Sequence, residues 1–184
     1  MRKFITLIAM IVLAAGLHAQ NEVTKFLGIP VDGTKSEMIQ KLKAKGFTYN
    51  QKEDLLEGEF NGEKVFIAVQ TNNNKVWRIG VLDKRSRDET KIRIRFNNLL
   101  SQFENNSKYA SYESNAMLEE DEDIGYGITV KKKQYEADFV QKQADGSINV
   151  NNVVWFTIND ISYNEYVIVL YYENHNNKAN GDDL

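Results

Sequence analysis

The 184 residues carry 23 lysines and arginines against 26 aspartates and glutamates, and no cysteine. That length allows one ordinary domain, and 42% hydrophobic with 27% charged residues excludes wholesale disorder. Lack of cysteine removes disulfides, thiolate nucleophiles and Cys-ligated zinc, and a net charge of −3 lacks the basic footprint that nucleic acid requires.

Arg2 and Lys3 precede an apolar run from Phe4 to Ala15, followed by Gly16-Leu17-His18-Ala19 and the polar Gln20-Asn21-Glu22. Positive charge, then a short apolar stretch, then a small residue is the order of a secretory signal peptide. The run is shorter than the roughly 20 apolar residues that span a bilayer. Residues 1–19 are therefore expected to be removed after Ala19, leaving 20–184 as a single α+β domain, periplasmic or secreted, with no membrane anchor. Loss of Arg2 and Lys3 takes the net charge from −3 to −5.

Thr34-Lys35-Ser36-Glu37 is a capping box. The hydroxyl accepts from the backbone three residues on, and the glutamate reaches back. Met38, Ile39 and Leu42 give an apolar stripe, and Gly46 suits a helix stop, so a helix is predicted over 35–45. Leu55–Phe60 and Glu63–Thr71 flank Asn61-Gly62, the dipeptide that tolerates a type I′ hairpin turn. Val65, Ile67 and Val69 alternate with Lys64, Phe66, Ala68 and Gln70. A third strand is predicted over 75–83, with Trp77, Ile79 and Val81 on one face. Ser86-Arg87-Asp88-Glu89 reads as a second capping box. Ile92, Phe96, Leu99, Leu100 and Phe103 then predict a helix over 88–106.

The periodicity lapses from Tyr109 to Asp123, and the acidic run Glu119–Asp123 reads as a solvated loop. Tyr126, Ile128 and Val130 alternate, but Gly125 and Gly127 interrupt them. Tyr135, Ala137 and Phe139 alternate with Glu136 and Asp138 as a strand. Asp145-Gly146 marks a turn, strands follow at 148–158 and 164–173, and a polar, mobile tail is expected from about 174. The expected fold is α+β: two helices packed on one face of an antiparallel meander sheet of six or seven strands. The halves 34–83 and 86–173 suggest a degenerate tandem repeat of helix followed by strands.

Little in the chain points to catalysis. His175 lies in an asparagine-rich stretch, and no nucleophile–base, metal-protease or dinucleotide motif occurs. The 119–123 run misses the spacing of a calcium loop, so neither metal nor cofactor is expected. Glu57 with Glu59, and Glu136 with Asp138, share strand faces, and a glycoside-active enzyme would need such paired carboxylates. Alternating polar residues on a wet sheet face are what any meander shows, and that reading is preferred. The basic stretch Lys84, Arg85, Arg87, Lys91, Arg93 and Arg95 reads as a solvated helix face.

The last two strands are unusual because both of their faces are apolar or aromatic. Val154, Phe156 and Ile158 alternate with Val153, Trp155 and Thr157; Ile168, Leu170 and Tyr172 alternate with Val167, Val169 and Tyr171. With the helices on one face, the other is either covered by the 109–133 segment or a second copy, or is a recognition surface. The residues expected to bind are Trp155, Tyr171 and Val169, extended by Phe66 and Arg78 if the sheet is continuous. A protein partner is the first expectation and a carbohydrate stacked on Trp155 and Tyr171 the second.

Phe26-Leu27-Gly28-Ile29-Pro30-Val31-Asp32-Gly33-Thr34 and Lys41-Leu42-Lys43-Ala44-Lys45-Gly46-Phe47 resemble the opening of a family of small exported Bacteroidetes proteins of unknown function. Gly58–Gly62, Tyr135–Phe139 and the closing Asp182-Asp183-Leu184 fit the same pattern, while Lys108-Tyr109-Ala110-Ser111 departs from the Tyr-Gly-Lys-Pro that often follows the family's second helix. The resemblance implies a fold like β-lactamase inhibitor protein or PepSY domains, and a non-enzymatic binding or inhibitory role.

Overall fold

The computed structural model describes residues 22–178; the expected signal peptide, its cleavage site and the closing Asp182-Asp183-Leu184 lie outside them. A small hairpin comes first, β1 (Lys25–Phe26) and β2 (Ile29–Pro30), followed by helix α1 (Lys35–Ala44). Strands β3 (Thr48–Asn50), β4 (Leu55–Phe60), β5 (Glu63–Asn72) and β6 (Lys75–Asp83) then run as a meander. Helix α2 (Glu89–Glu104) opens the second half, which continues through β7 (Tyr109–Ser111), a short helix α3 (Ile124–Thr129), β8 (Glu136–Gln141), β9 (Asn152–Ser162) and β10 (Glu165–Asn174). A single 3₁₀ turn, His175–Asn177, follows.

The strands form one antiparallel sheet in the order β3-β4-β5-β6-β10-β9-β8-β7. Each half is thus a helix followed by a four-stranded meander, and the halves join where the last strand of one pairs with the last strand of the other. The architecture is α+β, as expected, but it has eight strands in the main sheet, two more in the hairpin, and a third helix. The extra strands β3 and β7 are three residues each, too short to show alternation.

One sheet face carries the core. Met38, Ile39 and Leu42 of α1 and Ile92, Phe96, Leu99, Leu100 and Phe103 of α2 are buried, with α1 over β5 and β6 and α2 over β9 and β10. Beneath them lie Val65, Ile67, Ile79, Val154, Phe156 and Leu170. Phe26 of the hairpin is fully buried, its ring 5.2 Å from Phe60 and 4.9 Å from Tyr172. The N-terminal segment therefore closes the same face, with Thr24 Oγ1 donating to the Glu173 carbonyl at the end of β10.

Several expectations need correction. Helix α2 is capped by Asp88, whose side chain accepts from Lys91 N, and not by Ser86; Glu89 accepts instead from the backbone N–H of Ile124 at 2.6 Å. The alternation at 126–130 belongs to helix α3. Its glycines answer to packing, because a Cβ at Gly127 would overlap the Tyr135 hydroxyl. Trp77 does not join Ile79 and Val81 in the core: the ladder shifts between Gln70 and Thr71, so Val76 is buried and Trp77 is displaced. The basic stretch is only partly solvated. Arg87 and Arg95 turn inward to the buried Asp83 at 2.9 and 3.1 Å, and Arg87 also pairs with Glu63 at 2.6 Å.

The stretch from 174 to 178 is tied down and not a free tail. Asn174 Nδ2 donates to the Val31 carbonyl, Asn177 Nδ2 to Asp32 and the Val76 carbonyl, and His175 N to the Asn151 carbonyl. Asparagine supplies a donor and an acceptor on one short side chain, so a polar sequence can lock the strand end against three other segments. Among the described residues no helix is long and apolar enough to cross a membrane.

Phe96 is 1% exposed and meets Phe156 edge-on at 5.0 Å between ring centres. Phe96→Ala is expected to cost about 3–5 kcal/mol in denaturant melts; a loss below about 1 kcal/mol would mean the α2 packing is misread.

Candidate functional site

The sheet face away from the helices is built from the alternate residues of the same strands, since successive side chains point to opposite sides. Across its centre the register aligns Ala68 with Gly80, Gly80 with Tyr171, Tyr171 with Trp155, and Trp155 with Asp138. The row on one side aligns Glu57, Phe66, Leu82, Val169, Thr157 and Glu136. On the other side, Gln70, Arg78, Glu173, Val153 and Val140 align. Phe66, Leu82, Val153, Trp155 and Tyr171 are all half-buried. The 109–133 segment runs first along the β8 edge, where Tyr112 and Asn115 hydrogen-bond to the Asp138 backbone, and then returns over α2: Leu118 exchanges two 2.9 Å hydrogen bonds with Asn97 of α2, and Ile124 bonds to Glu89.

The five residues expected to bind share this face. Trp155 and Tyr171 stack at 4.4 Å between centroids. The Arg78 guanidinium lies 4.8 Å from the Tyr171 ring centre and 4.1 Å from that of Trp77. Phe66 sits further along, under the Lys84 ammonium at 4.4 Å, and is joined in register to Val169 through Leu82. Val169 is itself buried, so it supports the face and does not present it.

The cluster is anchored by Glu173, whose side chain is only 3% exposed. Its Oε1 receives Trp155 Nε1 at 2.9 Å and lies 2.5 Å from Arg78 Nη2, and its Oε2 lies 2.6 Å from His175 Nε2. Burial pushes the Glu173 carboxyl up, but the hydrogen bonds from His175 and Trp155 and the Arg78 charge outweigh it and hold it below the ordinary value. Sequence reasoning missed Glu173 and placed His175 in a loose tail. The signal was present, because Glu173 continues the alternation of Val167, Val169 and Tyr171.

Asp138 behaves oppositely. Burial pushes its carboxyl up, and the charges of Glu136, Glu113 and Glu173 push it further the same way. The four carboxylates considered for a glycoside-active reading are not buried together in one cleft. Glu57 and Glu59 lie on β4 while Glu136 and Asp138 lie on β8, five strand spacings away, on the order of 20 Å. Glu57 is also engaged by Lys84 at 2.6 Å. No group of three possible metal ligands converges among the described residues.

A cleft of about 1080 Å³ opens on the helix-bearing side, between the β1–β2 hairpin and the end of α2. Phe103, Tyr109 and Tyr172 form its floor and Lys25, Lys108 and Lys142 part of its rim. Gln141 crosses it, clamping the Lys25 backbone through both amide atoms.

Compared with known proteins, the chain matches no family model, no curated protein and no solved structure.

Two outcomes follow from the electrostatics. Glu173, with its folded pKa lowered, contributes stability that is fully present above the unfolded value of about 4 and is lost as pH falls through the folded value. Glu173→Gln should therefore destabilise the protein at neutral pH and flatten the acid limb of stability measured by urea melts. Asp138, with its folded pKa raised, opposes folding wherever it is ionised. Asp138→Asn should melt at the same or a higher temperature at pH 7, with any gain vanishing in acid.

Proposed function

We propose that this is an exported, non-enzymatic binding protein that holds a protein partner on the open face of its sheet. The observation that carries the reading is the Trp155–Tyr171–Arg78 cluster, half-buried at the middle of a face that no helix covers and anchored from below by buried Glu173. Tryptophan, tyrosine and arginine are the residues that dominate binding energy at protein interfaces, and they do so near the centre of a patch. Export is supported by the charged, apolar and small-residue order of residues 2–19. The non-enzymatic reading is supported by the scatter of the four carboxylates over β4 and β8 and by the pairing of Glu57 with Lys84. The resemblance to small exported Bacteroidetes proteins, with their implied likeness to β-lactamase inhibitor protein or PepSY domains, points the same way.

The test is capture from host extract on immobilised protein, comparing the native chain with Trp155→Ala and with Tyr163→Ala, whose target is 97% exposed at the β9–β10 turn. The specific partner should be retained by Tyr163→Ala and weakened about 30-fold or more by Trp155→Ala, the equivalent of about 2 kcal/mol for a central tryptophan. Equal capture by a correctly folded Trp155→Ala protein would refute the use of this face.

A further inference from the structure

We propose that the partner presents a lysine or arginine side chain that seats beside Trp155 against Asp138, Glu136 and Glu113. The inference rests on the reading of this face as a protein-binding surface and names the chemistry of the group that fills it.

β9 lies between β10 and β8, with Tyr171 directly opposite Trp155 on one side and Asp138 directly opposite on the other. Tyr171 takes one face of the indole by stacking. The ground on the other side belongs to β8, where Glu136 and Asp138 point to the same face as Trp155. Glu113 lies between Tyr112 and Asn115, both of which hydrogen-bond to the Asp138 backbone.

Charge compensation on this face is uneven. Glu57 is answered by Lys84 at 2.6 Å and Glu173 by Arg78 at 2.5 Å. Among the described residues, no cation pairs with Asp138, Glu136 or Glu113, and no donor bonds to the Asp138 carboxylate. The carboxyl of Asp138 is pushed up by burial and by its acidic neighbours with no opposing contribution. A half-buried carboxylate in that condition is complementary to a cation that arrives from outside.

The aromatic neighbour sharpens the match. Tryptophan offers the best π-face for a cation, and guanidinium combines such stacking with bonds to a carboxylate. The chain already uses that combination on the same face, where Arg78 lies against Trp77 and Tyr171 while pairing with Glu173. Trp155 beside Asp138 repeats the aromatic and the carboxylate; Arg78 reaches the Trp155 ring only at 5.9 Å and pairs with Glu173, so the Asp138 side lacks a cation of its own. A basic group of a partner supplies it.

The test titrates the purified full chain into fluorescently labelled octalysine and octaarginine peptides, with octaglutamate as the opposite charge, at low and at physiological salt. Emission from a Trp77→Phe variant reports Trp155 alone. The expected result is binding of a basic peptide with a change in Trp155 emission. Asp138→Asn with Glu136→Gln should weaken it about tenfold, and Glu119→Gln with Glu120→Gln, which removes the same charge beside α2, should leave it unchanged. Equal loss in both double variants would mean diffuse attraction to an acidic protein and would overturn the proposal, as would no binding by either basic peptide. A partner captured in a Trp155-dependent way but indifferent to Asp138→Asn and Glu136→Gln would overturn the cation while leaving the face in use. Self-association seen in sedimentation and abolished by the same pair would make the occupant a second copy, which also overturns it.

Discussion

The pairing of β6 with β10 is the constraint on which the rest of the molecule depends. Each half ends on the strand that meets the other half, so neither meander completes its sheet alone. The ladder runs from Val169 opposite Leu82 to Glu173 opposite Arg78. It joins residues far apart in the chain, a contact whose loop-closure cost is met late in folding. Because β10 is central, its side chains are buried on both faces for most of its length. Ile168, Leu170 and Tyr172 serve the helix-covered core, while Val167, Val169 and Glu173 are sealed by neighbouring strands on the open side. The doubly apolar pattern of this strand is thus a consequence of its place in the sheet.

That same pairing sets Arg78 of the first half opposite Glu173 of the second. Removing either charge would leave the other in a site of low exposure, which is why a buried pair is costly to break even where it adds little net stability. Here the pair does more than join the halves. Glu173 also fixes the Trp155 indole through its N–H and holds the His175 ring, so the ends of β6, β9 and β10 and the closing turn share one carboxylate. The asparagines that follow extend the lock to the N-terminal segment through Val31 and Asp32.

Much of this was legible in sequence, and where it was not the reasons are local. Helix α1 was marked by its capping box, and the structure shows both reciprocal bonds between Thr34 and Glu37. The β4–β5 hairpin was marked by Asn61-Gly62, both at positive φ, and β6 by its alternation. The alternation misled at Trp77, because a bulge inserts one residue without any sequence mark. It left Tyr126–Val130 open, because six residues of helix carry too few turns for a 3.6-residue period to outvote a period of two. The inward turn of Arg87 and Arg95 was hidden because a basic run looks alike whether it is solvated or aimed at a single buried aspartate. For the open face, period-two alternation set Val153 and Trp155 on one side of β9 and Val169 and Tyr171 on one side of β10; that Phe66 shares the face followed only from the ladders between strands. The contact of Tyr171 with Arg78 required the β6–β10 register, which no local pattern encodes.

The state of Trp155 connects this architecture to the proposed binding role. A side chain with two rotatable bonds, stacked on Tyr171 and hydrogen-bonded to a buried carboxylate, has little freedom left to lose when a partner arrives. The cost of ordering it was met during folding, and pre-organisation of that kind raises affinity without adding contacts. Phe66, by comparison, rests under one lysine at the side of the patch and is held by no hydrogen bond. Asp138 completes the contrast: Glu173 makes the centre of the face rigid and neutral, whereas β8 leaves an acidic margin that folding does not compensate. Burial gives the proposed surface its position, Glu173 gives it stiffness, and the uncompensated margin gives it a preference for charge of the opposite sign. A half-buried carboxyl pushed up by burial and by its acidic neighbours is at odds with local stability, and sites of that kind are where function is expected to reside.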